Sequence, residues 1–206
     1  MPSYDEVRSY LIGLWLLIKG DARGLRPFDI SDRGVARSFW ALAWAFPVLA
    51  LSGIYYRSLY LEEFPEATEP ALTYIAKAML VDMAAWFLPI VALMLAAPFL
   101  KIRLLLRTLI VVWNWASMAA LYFGSALVIL LLSLPEPQDE SWVTIAAFGW
   151  IGAAILLLAL SVALFWRILR TIVGGSVLIR LQVFAVVSLP MLLLEPLEKQ
   201  LGIYVP

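Results

Sequence analysis

The chain has 206 residues, 64% of them apolar, with 15 Lys or Arg balanced by 15 Asp or Glu. Its mean hydropathy of +0.92 lies far above that of a soluble domain, in which about half the residues are apolar. The balanced charge leaves no electrostatic footprint for nucleic acid. Cysteine and histidine are both absent, which excludes disulfides, thiol chemistry, thiolate or imidazole metal sites and the commonest general base. The chain reads as a non-enzyme with no catalytic residue, cofactor or metal.

In chain order, residues 1–38 read as a cytoplasmic amphipathic and basic segment, and residues 39–206 as a transmembrane bundle with a short external tail. Ser3 followed by Glu6 forms an S-x-x-E capping box, so a helix is predicted over about 4–19. Val7, Tyr10, Leu11, Leu14, Leu17 and Ile18 recur at three- and four-residue steps, with Arg8, Ser9 and Lys19 off the stripe. The apolar part, Tyr10 to Ile18, is about half the length a crossing requires. Two readings fit: an interfacial helix with Trp15 at headgroup depth, or a helix packed against the ends of the spans. Asp5 and Glu6 stand where a signal peptide would be basic, and no small-residue cleavage site follows, so the N-terminus is expected to be retained. Gly20, Gly24 and Pro27 then break the helix, and Ser31 or Asp32 caps a short basic lead-in through Arg33 and Arg37.

Five apolar runs follow, at about 39–56, 72–97, 104–134, 142–166 and 177–194, each read as a transmembrane helix of about 18 residues or more. The fold class is an all-α membrane protein. The turn PEPQDE, residues 135–140, separates spans three and four, and residues 197–206 form a polar tail. Pro47, Pro89 and Pro190 fall inside three different spans; such prolines free backbone carbonyls and bend helices, shaping a bundle or lining a path.

Basic residues alternate sides. Residues 1–38 hold six Lys or Arg, the 98–107 connection holds three, and Arg167, Arg170 and Arg180 border the 167–180 connection. The intervening loops carry Arg57 and Lys199 and are otherwise acidic, with Glu62, Glu63, Glu66 and Glu69 in the first. An excess of Lys and Arg marks cytoplasmic loops, so the N-terminus is inside and the C-terminus outside. A missed or merged span would place basic loops on both faces, so the alternation checks the count of five independently.

Asp82 is the sharpest local signal. It lies ten residues into the second apolar run, whose other charge is Lys77 near the outer end. An ionisable group at that depth is a functional-site hypothesis. Lys77 is expected to snorkel outward. Tyr122 and Ser125 of span three and Trp150 of span four lie at similar depth and carry donors for a carboxylate. Asp82 is thus either a hydrogen-bonded tie between spans two, three and four, or part of an ion or proton path. Asn114, between Trp113 and Trp115, is expected to bond across helices while the tryptophans face lipid.

Ala116, Ala120 and Gly124 repeat at four-residue steps in span three, and Gly149, Gly152 and Ala153 do similar work in span four. Small residues at this spacing let helix backbones approach in lipid, within the bundle or against a second copy or another membrane subunit. No P-loop, G-x-S-x-G, H-E-x-x-H or dinucleotide fingerprint is present.

A cytoplasmic N-terminal region, five closely spaced spans over about residues 36–195, a basic segment after span four reading WRILRTIVGGSVLIR (166–180), and a short external C-terminus together resemble the Yip1 superfamily of small integral membrane proteins. The chain has no counterpart of the Gly-Pro-containing or Gly-Tyr motifs of its eukaryotic members, so no functional residue is carried over. The resemblance implies a non-enzymatic role in membrane organisation, trafficking or partner binding. The Ala, Leu, Trp and Arg bias and very short loops suggest a bacterial inner-membrane protein. The first functional expectation is an accessory or scaffold subunit in the bilayer; the alternative is a small permease or channel component using Asp82.

Overall fold

Capping chemistry sets the first helix. In the computed structural model, α1 spans Tyr4–Lys19. The Ser3 hydroxyl accepts the Glu6 N–H at 3.3 Å, and the Glu6 carboxylate accepts the Ser3 N–H at 2.7 Å, closing the box read from the sequence. Gly20 ends the helix at φ 87°, a left-handed conformation open to glycine at little cost. The structure describes residues 1–132 and 140–205, without the side chains of 131–148 and of 150. The tip of the turn expected at 135–140 therefore lies outside the described residues.

After α1 a 3₁₀ turn, Ala22–Leu25, doubles back along it. A Cβ on Gly13 would stand 2.7 Å from the Gly24 carbonyl oxygen, and one on Gly24 would stand 2.4 Å from that of Gly13. The two backbones touch because neither residue has a side chain. Helix α2, Asp32–Ser38, is capped by Ser31, whose hydroxyl accepts the Gly34 N–H at 3.1 Å. There follow α3 (Trp40–Glu63), α4 (Ala71–Ala96), α5 (Leu106–Leu132), α6 (Glu140–Val173), α7 (Val177–Ser188), a second 3₁₀ turn (Leu189–Leu193) and α8 (Leu194–Leu201). No strand occurs among the described residues. Five stretches are long and apolar enough to cross a membrane: Asp32–Glu63, Ala71–Ala96, Leu106–Leu130, Ile151–Val173 and Val177–Leu201.

Two boundaries move relative to the sequence reading, and one span is interrupted. The first crossing continues past Tyr56 to Glu63, since nothing in YRSLYLEE breaks a helix. Helix α6 continues past Trp166 to Val173, carrying Arg167 and Arg170 on its last turns. The fifth crossing breaks at Pro190 into α7, the 3₁₀ turn and α8, because proline offers no N–H to the helical ladder.

The main core lies in the basic half of the bundle. Val7, Tyr10, Leu14 and Leu17 of α1 join Ala41, Ala45 and Leu49 of α3, Trp86, Ile90 and Leu93 of α4, and Val111, Val112, Trp115 and Met118 of α5. So α1 packs on the ends of the spans, while Leu11, Ile12 and Trp15 on its outer arc stay exposed. Its last carbonyls are satisfied from α6: Arg167 donates to the Ile18 oxygen and Thr171 to the Leu17 oxygen at 2.9 Å. A guanidinium there also meets the negative end of the α1 dipole. A second cluster at the acidic end packs Leu194, Leu197 and Leu201 of α8 against Tyr74, Ala78 and Val81 of α4, with Ile203.

Helix α6 differs from the rest. It meets α1, α5 and α7 through Phe165, Ile168, Leu169 and Ile172 near its basic end. Only 6% of its apolar window is buried, against 28% for α4. From Ile151 to Ala163 most of its residues are exposed.

Candidate functional site

Helix α4 carries two polar centres one helical turn apart, at Trp86 and Asp82. The first is built around Asn114 of α5, which is fully buried. The Trp86 indole N–H donates to the Asn114 carbonyl oxygen at 2.8 Å, and the Asn114 amide donates to the Ser38 hydroxyl at 2.8 Å. Ser38 in turn donates to the Val35 carbonyl at 2.7 Å. One side chain thus joins α2, α4 and α5, and each polar group in the chain has a partner, as a low-dielectric interior demands.

A second set of bonds lies beside the mid-span prolines. Trp44 precedes Pro47 by three residues in α3, and Trp86 precedes Pro89 by three in α4. Each proline withholds the N–H that the carbonyl four residues back, Ala43 or Ala85, would accept, and the tryptophan carbonyl next to it takes a donor from a neighbouring helix. Helix α5 supplies both. The Trp113 indole donates to the Trp86 carbonyl at 3.3 Å, and the Tyr122 hydroxyl donates to the Trp44 carbonyl at 2.9 Å. The Trp44 indole nitrogen itself is buried without a partner among the described residues. The expectation that Trp113 and Trp115 face lipid is overturned. Trp115 is 1% exposed with its ring 4.5 Å from that of Tyr10, and Trp113 packs edge-on against Phe165. The N-terminal segment closes that end of the bundle, so what would have been headgroup becomes protein.

The second centre is Asp82. It is half-buried and lies within electrostatic range of Tyr56 on α3 and Glu198 on α8. No hydrogen-bond donor reaches its carboxylate among the described residues. Lys77 is drawn outward to Glu69, 2.5 Å away. Of the residues expected beside Asp82, Tyr122 donates instead to the Trp44 carbonyl of α3, no hydrogen bond joins Ser125 to it among the described residues, and the Trp150 side chain lies outside the described residues. Asn114 belongs to the other centre.

The small residues are distributed unevenly. Ala116 packs against the core, Ala120 is exposed and Ala153 half-buried. A Cβ added at Gly124, Gly149 or Gly152 would meet nothing within 4 Å. Those three glycines bring no described helix close.

At the basic end, Tyr10, Asp29, Arg37, Ser38, Val111 and Trp115 line a cleft beside the Asn114 centre, of a size to hold about one water. The Glu6 carboxyl is held below its ordinary value, first by the Ser3 N–H and then by Arg37, to which it is ion-paired at 2.8 Å. Asp29 is likewise held low by the Ser31 N–H, while burial pushes the Tyr10 phenol up.

Sequence reasoning missed Glu198, Tyr56, Trp86 and Ser38. The spacing of Leu194, Leu197 and Leu201, with Gly202 after them, marks an amphipathic helix with a glycine stop, which would have turned Glu198 toward α4. Among the described residues no three Asp, Glu, His or Cys converge as metal ligands. Comparison with protein-family models, with curated proteins and with solved structures finds no match to the chain.

Proposed function

We propose that the chain is a non-enzymatic subunit of a bacterial inner membrane, with a cytoplasmic N-terminus and a periplasmic C-terminus, acting as an accessory or scaffold protein that binds a second membrane helix along α6. The observation that carries this is the bareness of α6: 6% of its apolar window is buried, and open space surrounds Gly149 and Gly152. In lipid, dispersion contacts between closely approaching backbones hold helices together, and glycine allows that approach. The partner is a second copy or another membrane subunit. The Yip1-like arrangement of five spans points to the same class of role, and the sorting of Lys and Arg supports the orientation.

Because the chain has no cysteine, Gly152→Cys can carry a thiol-directed photo-crosslinker. Illumination in native membranes should yield one protein adduct of defined mass, while Leu95→Cys, on an exposed face of α4, yields lipid adducts. Lipid adducts alone from position 152 would refute the reading.

The geometry of Asp82 favours a second reading, a small permease or channel component for ions, protons or a small solute. An acid without a hydrogen-bond donor among the described residues, with another acid as its charged neighbour, needs a positive charge to sit comfortably in a low dielectric. Reconstituted vesicles loaded with a pH-sensitive dye distinguish the two readings. Under the permease reading, Asp82→Asn abolishes proton entry and leaves helix content unchanged; under the scaffold reading, wild type and variant are equally tight.

A further inference from the structure

Arg180, on the first turns of α7, is buried, with 9% of its surface exposed. Its Nε donates to the Ser176 carbonyl and its Nη2 to the Gly175 carbonyl, both at 3.4 Å. Its guanidinium carbon lies 5.4 Å from the Trp166 ring centroid. Both hydrogen bonds are longer than the charge-assisted range of about 2.7–2.9 Å. Arg23, Arg37 and Arg107 each hold a carboxylate. Arg180 has none among the described residues: its partners there are two distant carbonyls and an indole face, so a buried charge stands without a counter-ion.

The same turn exposes free donors. Ser176 caps α7 through the Ile179 N–H, leaving the Val177 and Leu178 amides without an acceptor among the described residues. These form the positive end of a 12-residue helix. A Cβ on Gly174 or Gly175 would meet nothing within 4 Å, so the approach is open. Arg170, one turn before Gly174 on α6, is exposed and holds no carboxylate among the described residues. Val177, Leu178 and Leu181 beside the amides are 54%, 64% and 51% exposed, an apolar surface where acyl chains can lie.

We propose that the elbow between α6 and α7 binds the phosphate of an anionic phospholipid, held by the Arg180 guanidinium against Trp166, the open amides of Val177 and Leu178, and the charge of Arg170. The neighbouring apolar surface selects a lipid over a soluble anion. Basic pockets between membrane helices on the cytoplasmic side take lipid headgroups by this chemistry.

The test uses the full chain in nanodiscs of phosphatidylcholine doped with phosphatidylglycerol, with bound lipid counted by native mass spectrometry. One phosphatidylglycerol should be retained in preference to phosphatidylcholine, and millimolar inorganic phosphate should not displace it. Arg180→Met should weaken retention about tenfold or more, the scale of losing a hydrogen bond between charged groups. Val177→Pro removes one amide at the first helical position, which proline tolerates. Ser176, at φ −75° and ψ 120°, already has the extended shape that precedes proline. That variant should weaken retention several-fold with helix content unchanged, and it decides the matter if Arg180→Met fails to fold. Equal retention in the folded variants, no preference for phosphatidylglycerol, or full displacement by inorganic phosphate would each overturn the proposal.

Discussion

Replacing Asn114 by Leu should cost about 2–3 kcal/mol, and the cost should depend on Trp86. The variant keeps the side chain buried and of similar volume, so the loss is polar. It strands the Trp86 indole N–H, now 2.8 Å from the amide oxygen, in a fully buried site; an unsatisfied buried donor costs about 1–3 kcal/mol. The bond to Ser38, also 2.8 Å, adds about 0.6 kcal/mol, the mean for side-chain bonds between membrane helices. Trp86→Phe alone strands the Asn114 oxygen at a similar cost. The double variant strands neither, so it should recover at least about 1 kcal/mol relative to the sum of the singles. Equilibrium unfolding in detergent or bicelles, followed by circular dichroism, measures the cycle. Costs that add to within about 0.3–0.5 kcal/mol would mean that the two groups do not depend on each other, and the reasoning would fail.

Other outcomes follow from single contacts. Gly34→Ala places a Cβ 2.1 Å from the Asp29 carbonyl oxygen, so α2 must shift and stability should fall by about 1–3 kcal/mol. Gly124→Ala, with nothing within 4 Å, should be neutral or gain up to about 1 kcal/mol; thermal unfolding compares the pair. Thr171→Val removes a cap on α1, costing about 0.5–1.5 kcal/mol, and should raise hydrogen exchange within residues 4–19 more than elsewhere. Because the folded Glu6 carboxyl is held low, its contribution is complete above the ordinary glutamate value of about 4.3 and lost as pH falls through the lower folded value. A spin label at Tyr4→Cys should therefore be ordered at pH 5 and become mobile as the pH is lowered through the folded value, and Glu6→Gln should mobilise it already at pH 5.

The helices were legible because their signals are local. The Ser3–Glu6 box, the Gly20 stop and the Ser31 cap are each formed, and the run read as 72–97 is the helix Ala71–Ala96. Which face of each span looks inward was not legible. In a soluble helix water sorts polar from apolar faces, whereas a span is apolar on every side and lipid does not distinguish Leu from Ala. Trp115 therefore read as lipid-facing although α1 covers it, and Tyr122 read as a partner for Asp82 although the Trp44 carbonyl takes its hydroxyl. The neighbour of Asp82 was hidden for a different reason. Glu198 lies beyond the break at Pro190, in residues whose charge made them read as a tail. Asn114 was legible as an interhelical donor because an amide so deep has few alternatives, but its partners depend on the fold.

Whether five crossings sort the two ends of the chain to opposite sides of the membrane is open to one direct measurement. Single cysteines at Ser3 and at Gly202, both exposed positions in a chain without native cysteine, are treated with a membrane-impermeant maleimide in spheroplasts and again after lysis. Position 202 should react in both preparations and position 3 only after lysis. Equal reactivity of the two positions in intact spheroplasts would contradict the five-crossing arrangement.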